Sequence, residues 1–267
     1  LAVLSVVLLI NSRAALAEKR ALAELVLRKA AVLENEHIRL SRRLVNFAQD
    51  RVFGHYMKAP PDLRNDAKAE MHAKSLGLQK DTAVYEMCFI DEHGHEVMRF
   101  IDGIPRYDLS TNEISNAFFG VGFKLDAKQV SPPQIYVSPD AQQWVVGYVT
   151  PIFFDERKIG LLHYEYKLSK FVEGMTFDFR HGSDEWASLV DDEGYIIWDT
   201  REPTRIAHEQ RSIGGKKIDN FKKMSSVESA AIALGTEGEG KITENGVTWM
   251  VVYKPVLGWT VVVGRRL

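Results

Sequence analysis

The sequence predicts an α+β protein in which a long N-terminal helix precedes two tandem units, each built on an antiparallel sheet. Its 267 residues are enough for two domains of ordinary size. A helical pattern without proline runs from Ser12 to about Gly54, and short strand-like segments joined by turns fill most of the remaining chain. Within that second part, one order of segments occurs twice.

The clearest sign of the duplication is a short hairpin found at Phe89–Gly94 and again at Leu189–Gly194. Each copy consists of an apolar strand end, an acidic turn closed by glycine, and a return strand. Glycine suits this turn because a tight hairpin needs a backbone φ above zero, which is unfavourable for residues with a Cβ atom. The copies lie too far apart for a solenoid repeat, so they predict two similar domains.

A second parallel lies later in each unit. The segments Trp144–Pro151 and Trp249–Pro255 both contain a tryptophan and a tyrosine four residues apart before a proline. Each unit is therefore predicted to contain a hairpin, a helical insert and a three-stranded meander. The predicted strands of the first unit are Val84–Ile90, His95–Ile101, Gln134–Ser138, Gln143–Phe154 and Lys158–Leu168, with a short helix and turn at Asn116–Phe123. Those of the second unit are Trp186–Val190, Tyr195–Asp199, Gly238–Thr243, Val247–Lys254 and Trp259–Val263, with a helix at about 218–234.

These patterns divide the chain into four segments. Residues 1–10 are predicted to be the end of a transmembrane helix, 11–80 the long helix and a second helix, 81–170 the first sheet unit, and 171–267 the second. The apolar run Leu1–Ile10 is about half of the roughly 20 residues that a bilayer span needs. A signal-peptide core is the alternative, but a charged helix follows this run in place of a cleavage site.

The long helix carries an apolar stripe with heptad spacing. Its members are Val26, Ala30, Leu33, His37, Leu40, Leu44 and Phe47, and Ala23 and Leu16 extend it backwards. Such a stripe predicts either a parallel homodimer along the helix or packing of the helix on its own domain, and the sequence leaves both open. Pro60-Pro61 end this region, and Asp62 is the predicted N-cap of a second helix that reaches Ser75 and stops at Gly77.

Composition and charge exclude several functions. The formal net charge of −2 provides no basic surface for nucleic acid. The one cysteine, Cys88, cannot form a disulfide within the chain and is predicted to be a buried thiol. The sequence contains no Gly-x-Ser-x-Gly, no His-Glu-x-x-His and no phosphate-binding glycine loop, so we predict no enzymatic activity and no cofactor. His93 and His95 lie on a hairpin turn and are predicted to be solvated rather than zinc ligands, and His163 with Glu165 lacks the further ligands that a metal site needs.

In its order of segments the chain resembles the double Cache family, whose members carry two PAS-like units after a long membrane-derived helix. The resemblance covers essentially the whole chain. Its most specific part is Phe89–Arg99, which is similar to the family's hairpin ending in Val-x-Arg, and Gln134–Pro139 and Thr150–Phe153 also resemble family segments. Such domains are extracytoplasmic sensors of bacterial histidine kinases, chemoreceptors and diguanylate cyclases. The resemblance thus implies a periplasmic or extracellular domain of an inner-membrane receptor, anchored through flanking helices, with an output module outside this chain.

The resemblance also implies a small-molecule ligand in the first, membrane-distal unit, and a relay in the second, membrane-proximal unit. In relatives that bind amino acids, an Arg-x-Trp-Tyr motif holds the ligand carboxylate, and an aspartate after the last strand holds its amine. Neither feature is present here. Gly147 stands where many relatives have an arginine, and Lys167 stands about where the aspartate falls. We therefore do not expect an α-amino acid as the ligand.

The candidate ligand-binding residues belong to the first unit. They are Arg99, Met98, Phe118, Phe119, Tyr136, Trp144, Tyr148 and Tyr164. Trp144 and Tyr148 share one face of a strand, and that face is predicted to lie opposite the helical insert and form an apolar pocket with a few polar groups. Arg99 is the predicted clamp for a ligand carboxylate. The alternatives are an aromatic core and, for Arg99, a surface salt bridge.

These expectations together describe a binding domain that senses a small molecule, a carboxylate being the class that Arg99 favours. Binding would shift the packing of the first unit against the long helix and so signal across the membrane. The alternative is a structural or dimerising ectodomain whose pocket is empty or filled by side chains.

Overall fold

The computed structural model describes residues 2–82, 84–138, 140, 143–176, 179, 184–191, 196–201, 235–244 and 246–267, with side chains from residue 15 onward. It has a long N-terminal helix and two antiparallel sheets, which confirms the predicted α+β fold. The described residues group into two compact units. The first unit consists of residues 36–171. The second consists of residues up to 35 together with the described residues from 172 onward.

Three helices precede the sheets: α1 (Ala2–Ala48), α2 (Arg51–Lys58) and α3 (Arg64–Thr82). Helix α1 includes residues 2–10, for which the end of a transmembrane helix was predicted, and it ends before Asp50. Asp50 is the N-cap of α2 and accepts a hydrogen bond of 3.0 Å from the Val52 backbone N–H. Asp50 thereby satisfies a helix-start donor that has no partner inside the helix. None of the helices described here has an apolar stretch long enough to cross a membrane.

The predicted end of the second helix was wrong, because α3 continues through Gly77 to Thr82. It begins at Arg64, with Asp62 in the turn before it. The helix continues because its last turns pack on the protein: Ser75 and Gln79 are buried. The Gln79 side-chain amide also donates to the Tyr85 backbone carbonyl at 2.9 Å. This tertiary packing outweighs the cost of one glycine inside a helix, about 1 kcal/mol.

The sheet of the first unit has six strands, all paired antiparallel, in the order β3-β2-β1-β6-β5-β4. Their bounds are β1 (Val84–Asp91), β2 (Glu96–Ile101), β3 (Ile104–Arg106), β4 (Gln134–Ser138), β5 (Gln143–Phe154) and β6 (Arg157–Lys167). The short edge strand β3 was not predicted. The helical insert is α4 (Ala117–Lys124), and α5 (Leu168–Phe171) follows β6.

The sheet of the second unit has five described strands in the order β8-β7-β11-β10-β9, also antiparallel. Their bounds are β7 (Glu185–Val190), β8 (Ile196–Asp199), β9 (Gly238–Glu244), β10 (Val247–Val256) and β11 (Trp259–Arg266), and the one-turn helix α6 (Glu173–Thr176) precedes them. The helix predicted at about 218–234 lies outside the described residues. Without β3, the two sheets have the same strand order, as a duplication requires.

The strand registers show which positions of the two units correspond. Ile90 pairs with Leu161 and Val190 with Thr260, and these partners in turn pair with Pro151 and Pro255. The two prolines are therefore equivalent. The tyrosines are not, since Tyr148 lies three residues before its proline and Tyr253 two residues before. A difference of one residue along a strand places the side chains on opposite faces.

The first sheet has two faces with different neighbours. On one, which we call the helix face, Phe89 contacts Phe53 of α2, with ring centroids 5.2 Å apart. The Ser75 hydroxyl of α3 lies 3.3 Å from the Met98 sulfur on the same face. On the other, which we call the insert face, α4 lies against the strands. There the Lys158 ammonium donates to the carbonyl oxygens of Phe123 and Leu125 at 2.6 and 2.7 Å, which satisfies the C-terminal end of α4.

The heptad stripe of α1 packs on its own chain. Val26, Ala30 and Leu33 are buried in the second unit, and Leu40 and Leu44 in the first. Of the two readings left open by the sequence, the intramolecular one accounts for these residues, because buried side chains are not available to a second copy. Apolar residues also lie on the exposed side of the helix, namely Leu16, Leu27 and Ile38.

Candidate ligand-binding site

A narrow cleft lies on the insert face of the first unit, between α4 and strands β4 to β6. Its walls are formed by Phe118, Val121, Ser131, Gln134, Tyr136, Gly147, Tyr148, Val149 and His163. The empty space between them is about 220 Å³ with the open mouth included, and the part that admits the centre of a water molecule is about 10 Å³. Pockets for drug-sized ligands usually measure roughly 300–1,000 Å³, so the cleft suits a very small molecule in its present shape.

The ring of Tyr136 closes the floor of the cleft above Gly147. A Cβ atom at position 147 would lie 2.5 Å from Cε1 and 2.6 Å from the hydroxyl oxygen of Tyr136. Only glycine leaves room for this ring, because real Cβ atoms do not approach other atoms so closely. The space that an arginine would need at this position is therefore filled by Tyr136.

The Tyr136 hydroxyl connects the cleft to buried polar groups of β6. It donates to Glu165 Oε1 at 2.9 Å and lies 3.0 Å from His163 Nε2. Burial lowers the pKa of His163 to about 4, so its imidazole is neutral at ordinary pH. With the hydroxyl hydrogen directed to Glu165, Nε2 carries the imidazole proton and donates it to the tyrosine oxygen. Phe118 of α4 covers the imidazole in a parallel stack, with ring centroids 4.1 Å apart.

Behind Tyr136 lie two buried carboxyl groups on neighbouring strands. Glu86 of β1 and Glu165 of β6 are paired across the ladder, and each side chain is only 3% exposed. Burial and the neighbouring Glu165 charge raise the pKa of Glu86 to about 9, and burial also raises the pKa of Glu165. The Glu86 carboxyl is therefore protonated at neutral pH. One oxygen of each carboxyl, Oε2, has no hydrogen-bond partner among the described residues.

Arg99 is next to this pair but is already engaged by its own chain. Its guanidinium donates to the Asp108 carbonyl at 2.8 Å and forms ion pairs with the Asp108, Asp140 and Glu96 carboxylates at 3.2, 3.4 and 3.6 Å. The Arg99 and Glu96 side chains are 9% and 5% exposed, whereas Asp108 and Asp140 are 64% and 42% exposed, so a buried guanidinium is paired partly with surface carboxylates. A ligand carboxylate would have to displace carboxylates of the protein to reach it.

Three side chains of this region lie close enough together to bind one metal ion. The ligand atoms of Glu86, Cys88 and Glu96 lie within 4.8 Å of one another, and all three residues are buried. The Cys88 thiol donates to Glu86 Oε1 at 3.3 Å, and burial raises the pKa of Cys88 well above its usual value. A protonated thiol and a protonated carboxyl are poor ligands, and Arg99 already supplies a positive charge beside Glu96.

The structure brings together only part of the predicted site. Phe118, Tyr136 and Tyr148 line the cleft, although the Tyr148 ring lies on the opposite face of the sheet. Arg99 lies behind the cleft on the insert face, and Phe119 is buried in the apolar cluster under α4. The remaining residues lie on the helix face, where Met98 contacts Ser75 and the Tyr148 ring stacks on His37. Tyr164 is directly opposite Tyr148 across the ladder, and Trp144 shares that face by alternation. The structure therefore does not place Trp144, Tyr148 and Tyr164 opposite the helical insert.

Three residues of this region were not among the predicted site residues: Glu86, His163 and Glu165. A signal for them was present in the sequence. His163 and Glu165 alternate with tyrosines in a strand whose remaining residues are mostly apolar, so two polar side chains had to face the interior of the insert face. Their position beside Glu86 depends on the pairing of β1 with β6, which are far apart in the sequence.

The second unit has an apolar counterpart at the same place. By register, Trp186 of β7 corresponds to Glu86, and Gly264 of β11 corresponds to Glu165. The Trp186 ring covers Gly264 and belongs to a buried cluster whose other members are Val190, Ile242, Val251, Tyr253 and Val262. One tryptophan thus fills the space in which the first unit carries two carboxyl groups.

Comparison with solved structures confirms the double Cache type of fold. The sensory domain of the Campylobacter jejuni chemoreceptor Tlp3 with isoleucine bound has a TM-score of 0.69 at 12% identity, with 94% of this chain and 93% of that chain covered. The sensor domain of the Vibrio cholerae histidine kinase DctB has a TM-score of 0.64 at 12% identity, covering 96% and 99%. A domain of a sensory box/GGDEF family protein from Vibrio parahaemolyticus has a TM-score of 0.68 at 13% identity, covering 93% and 95%.

Sequence comparison identifies no relatives of the chain. No protein-family model matches the chain, and a search of curated proteins finds no match. At identities of 11–14% among the structural neighbours, the similarity establishes the fold and leaves the function to the site itself.

Proposed function

We propose that the chain is the extracytoplasmic sensing domain of a transmembrane signalling receptor, and that it binds a small molecule rather than catalysing a reaction. The observation that carries the proposal is the cleft of the first unit, which is walled by aromatic side chains and ends on buried polar groups. The neighbours with this fold include Tlp3 sensory domains bound to isoleucine, L-norvaline and L-valine. We propose a periplasmic or extracellular position, with anchoring in the inner membrane through flanking helices.

Within this proposal the first unit, at residues 81–170, is the membrane-distal ligand reader, and the second, at residues 171–267, is the membrane-proximal relay. Phe118, Tyr136 and His163 form the wall that a ligand touches. Met98, Trp144, Tyr148 and Tyr164 act from the opposite face of the sheet, where they support the strands against the helices.

Strand β5 provides the path by which a ligand would act on the long helix. Gly147 and Val149 line the cleft, while the ring of Tyr148 between them stacks on His37 of α1, with centroids 5.6 Å apart. The Tyr148 hydroxyl lies 3.3 Å from His37 Nδ1. A ligand that binds more tightly to one arrangement of β5 thereby favours one packing of α1, which is the differential affinity that a switch needs.

The proposal is tested by thermal-shift screening of small metabolites against the wild type, Phe118→Ala and Tyr107→Ala. A ligand present at 100 times its dissociation constant stabilises the folded protein by about 2.7 kcal/mol. We expect this stabilisation in the wild type and in Tyr107→Ala, whose side chain is 86% exposed, and its loss in Phe118→Ala. A compound that stabilises all three proteins equally does not bind in the cleft.

The size of the cleft favours a second candidate function, a structural or dimerising ectodomain without a ligand. Only about 10 Å³ admits the centre of a water molecule, and the Tyr136 ring fills much of the floor. Under this alternative no metabolite stabilises the wild type, and Tyr136→Ala, which removes the ring, only destabilises the protein. Stabilisation of the wild type by any compound that Phe118→Ala no longer binds rejects it.

A further inference from the structure

We propose that the ligand of the cleft is a small primary amine, whose ammonium group binds between the Glu86 and Glu165 carboxyls once the Tyr136 side chain moves aside. This inference rests on the proposed sensing function and specifies its ligand class. It replaces the carboxylate ligand predicted from Arg99. Four features of the first unit lead to it: the balance of charge, the position of Tyr136, the unpartnered carboxyl oxygens, and the contrast with the second unit.

The balance of charge favours a cation. Glu86, Glu165 and Glu96 are buried, and Asp108 and Asp140 approach the same region through Arg99. Arg99 contacts Glu96, Asp108 and Asp140, and Arg106 also pairs with Asp108 at 3.3 Å. Glu86 and Glu165 are left without a cationic partner within ion-pair distance among the described residues. An ammonium group would supply the missing charge, whereas a carboxylate would add to the repulsion.

Tyr136 is the side chain that separates the cleft from the two carboxyls. Its ring forms the cleft floor, and its hydroxyl donates to Glu165 from the cleft side. Because residue 147 is glycine, no Cβ atom lies beneath the ring. An ammonium group that takes the place of the hydroxyl donates to the same Glu165 oxygen and has further hydrogens for the oxygens that lack a partner.

The cleft walls suit the remainder of such a molecule. Phe118 presents an aromatic ring, which attracts cations, and Val121 and Val149 present apolar surface for a short alkyl chain. The imidazole of His163 is neutral, and its Nε2 accepts from an ammonium group when the imidazole proton is on Nδ1.

The second unit shows that this fold does not need carboxyl groups at these positions. Trp186 and Gly264 take the places of Glu86 and Glu165, and the result is a continuous apolar cluster. Two adjacent buried carboxyls are less favourable for folding than such a cluster, since one of them must remain protonated. Residues that cost stability without serving the fold are typical of binding sites.

Binding of an ammonium group changes the protonation of the pair. Before binding, the Glu86 carboxyl is protonated at neutral pH. When the ammonium binds, that proton leaves to the solvent, both carboxylates are ionised, and the charge of the site becomes −2 against the +1 of the ligand. The groups that face the pair are Cys88 on β1, Glu96 and Arg99 on β2, Tyr136 on β4, Asp140 after β4, and His163 on β6. Because the Glu86 proton must leave, affinity rises as pH approaches about 9.

The test is isothermal titration calorimetry of the whole chain with n-butylamine, n-butyrate, 1-butanol and L-valine. These probes share a short alkyl chain and differ in charge. The titrations are repeated in two buffers of different ionisation enthalpy, which counts the protons released. The variants are Glu86→Gln and Glu165→Gln, with Glu156→Gln as the matched control, because it removes the same charge from the exposed turn between β5 and β6.

We expect n-butylamine to bind the wild type and Glu156→Gln with equal affinity and to release up to one proton. In Glu86→Gln and Glu165→Gln we expect binding at least tenfold weaker and no proton release, with circular dichroism confirming that both variants are folded. The proton count in the wild type tests the proposal even if one variant does not fold.

Other outcomes overturn the inference, and they separate it from the function. Unchanged amine affinity in Glu165→Gln, or amine binding without proton release, places the amine elsewhere. Binding of butyrate or L-valine but not of the amine rejects the ligand class and leaves the sensing function standing. If neither these probes nor the metabolite screen finds a ligand, the sensing function falls as well.

Discussion

At the scale of single residues, the contact between Tyr136 and Gly147 decides what the cleft can hold. The sequence showed Gly147 as a departure from relatives with an arginine there, but it did not show which side chain would use the space. That depends on the pairing of β4 with β5, which sets Tyr136 beside Val145 and its ring over Gly147. The glycine at position 147 therefore has a steric reason, the Tyr136 ring, that the sequence alone does not show.

Adding one methyl group at this glycine is expected to destabilise the protein. Gly147→Ala places a Cβ atom against the Tyr136 ring and should lower the free energy of unfolding by about 1–3 kcal/mol, as overpacked sites do. The matched control is Gly77→Ala inside α3, where no atom lies within 4 Å of the new Cβ. That change should raise the free energy of unfolding by about 0.5–1 kcal/mol. Urea denaturation measures both, and equal effects would contradict the steric argument.

The carboxyl pair predicts a pH dependence of stability. The folded-state pKa of Glu86 is raised from 4.5 to about 9, so the folded protein binds a proton that the unfolded chain releases. This contribution to stability is full below the unfolded pKa and is lost as pH rises toward the folded pKa. His163, with its pKa lowered to about 4, acts in the opposite direction only at pH below about 6.5.

Between pH 7 and 9 the free energy of unfolding should therefore fall in the wild type. It should stay nearly constant in Glu86→Gln, which cannot ionise. Urea denaturation across this range measures the slope, with Glu156→Gln again as the charge control. A wild-type slope that persists unchanged in Glu86→Gln would show that other groups cause it.

At the scale of elements, the heptad stripe of α1 was visible in the sequence, but its partner was not. Heptad spacing specifies one apolar face and says nothing about whether a second copy or the same chain covers it. The structure uses the stripe inside the chain, with Leu33 and Leu40 at most 2% exposed. An aspartate at either position would destroy the core, so it could not test self-association.

Dimerisation through α1 stays a prediction, and it now concerns the exposed side of the helix. Leu27 is 51% exposed and Ile38 is 42% exposed. If the helix pairs with a second copy, Leu27→Asp and Ile38→Asp should reduce self-association without affecting folding. Glu34→Asp is the control on the same helix. Sedimentation of the membrane-anchored protein decides the question, and unchanged association in both aspartate variants would reject this interface.

Strand prediction succeeded where the pattern was local and failed where it depended on register. All ten predicted strands have counterparts in the structure, because alternation and glycine turns mark them clearly. The faces were harder to assign. Alternation groups Trp144 with Tyr148 but does not say which face meets the insert, and the structure turns Tyr148 toward His37 instead. Both faces of the sheet carry buried apolar side chains, so hydrophobicity alone could not show which face meets the insert.

At the scale of the whole molecule, the duplicated hairpin was enough to predict two sheets of one topology. The structure confirms this, because the order β2-β1-β6-β5-β4 in the first sheet corresponds strand by strand to β8-β7-β11-β10-β9 in the second. The sequence also predicted that the two units differ in function, on the basis of aromatic residues in the insert. In the structure the two units differ at a pair of facing positions on the central strands, Glu86 with Glu165 in the first and Trp186 with Gly264 in the second.

The residues of the second unit at these two positions suggest a variant of the first unit that cannot bind a ligand. At the corresponding positions of the second unit, the Trp186 ring lies over Gly264 and fills the space with protein atoms alone. The double substitution Glu86→Trp and Glu165→Gly would replace the two carboxyl groups, which have no cationic partner among the described residues, with an indole ring. Under the proposed sensing function, this variant would carry a side chain where the ligand binds, and its signalling output would report whether the occupied site is the active or the inactive state.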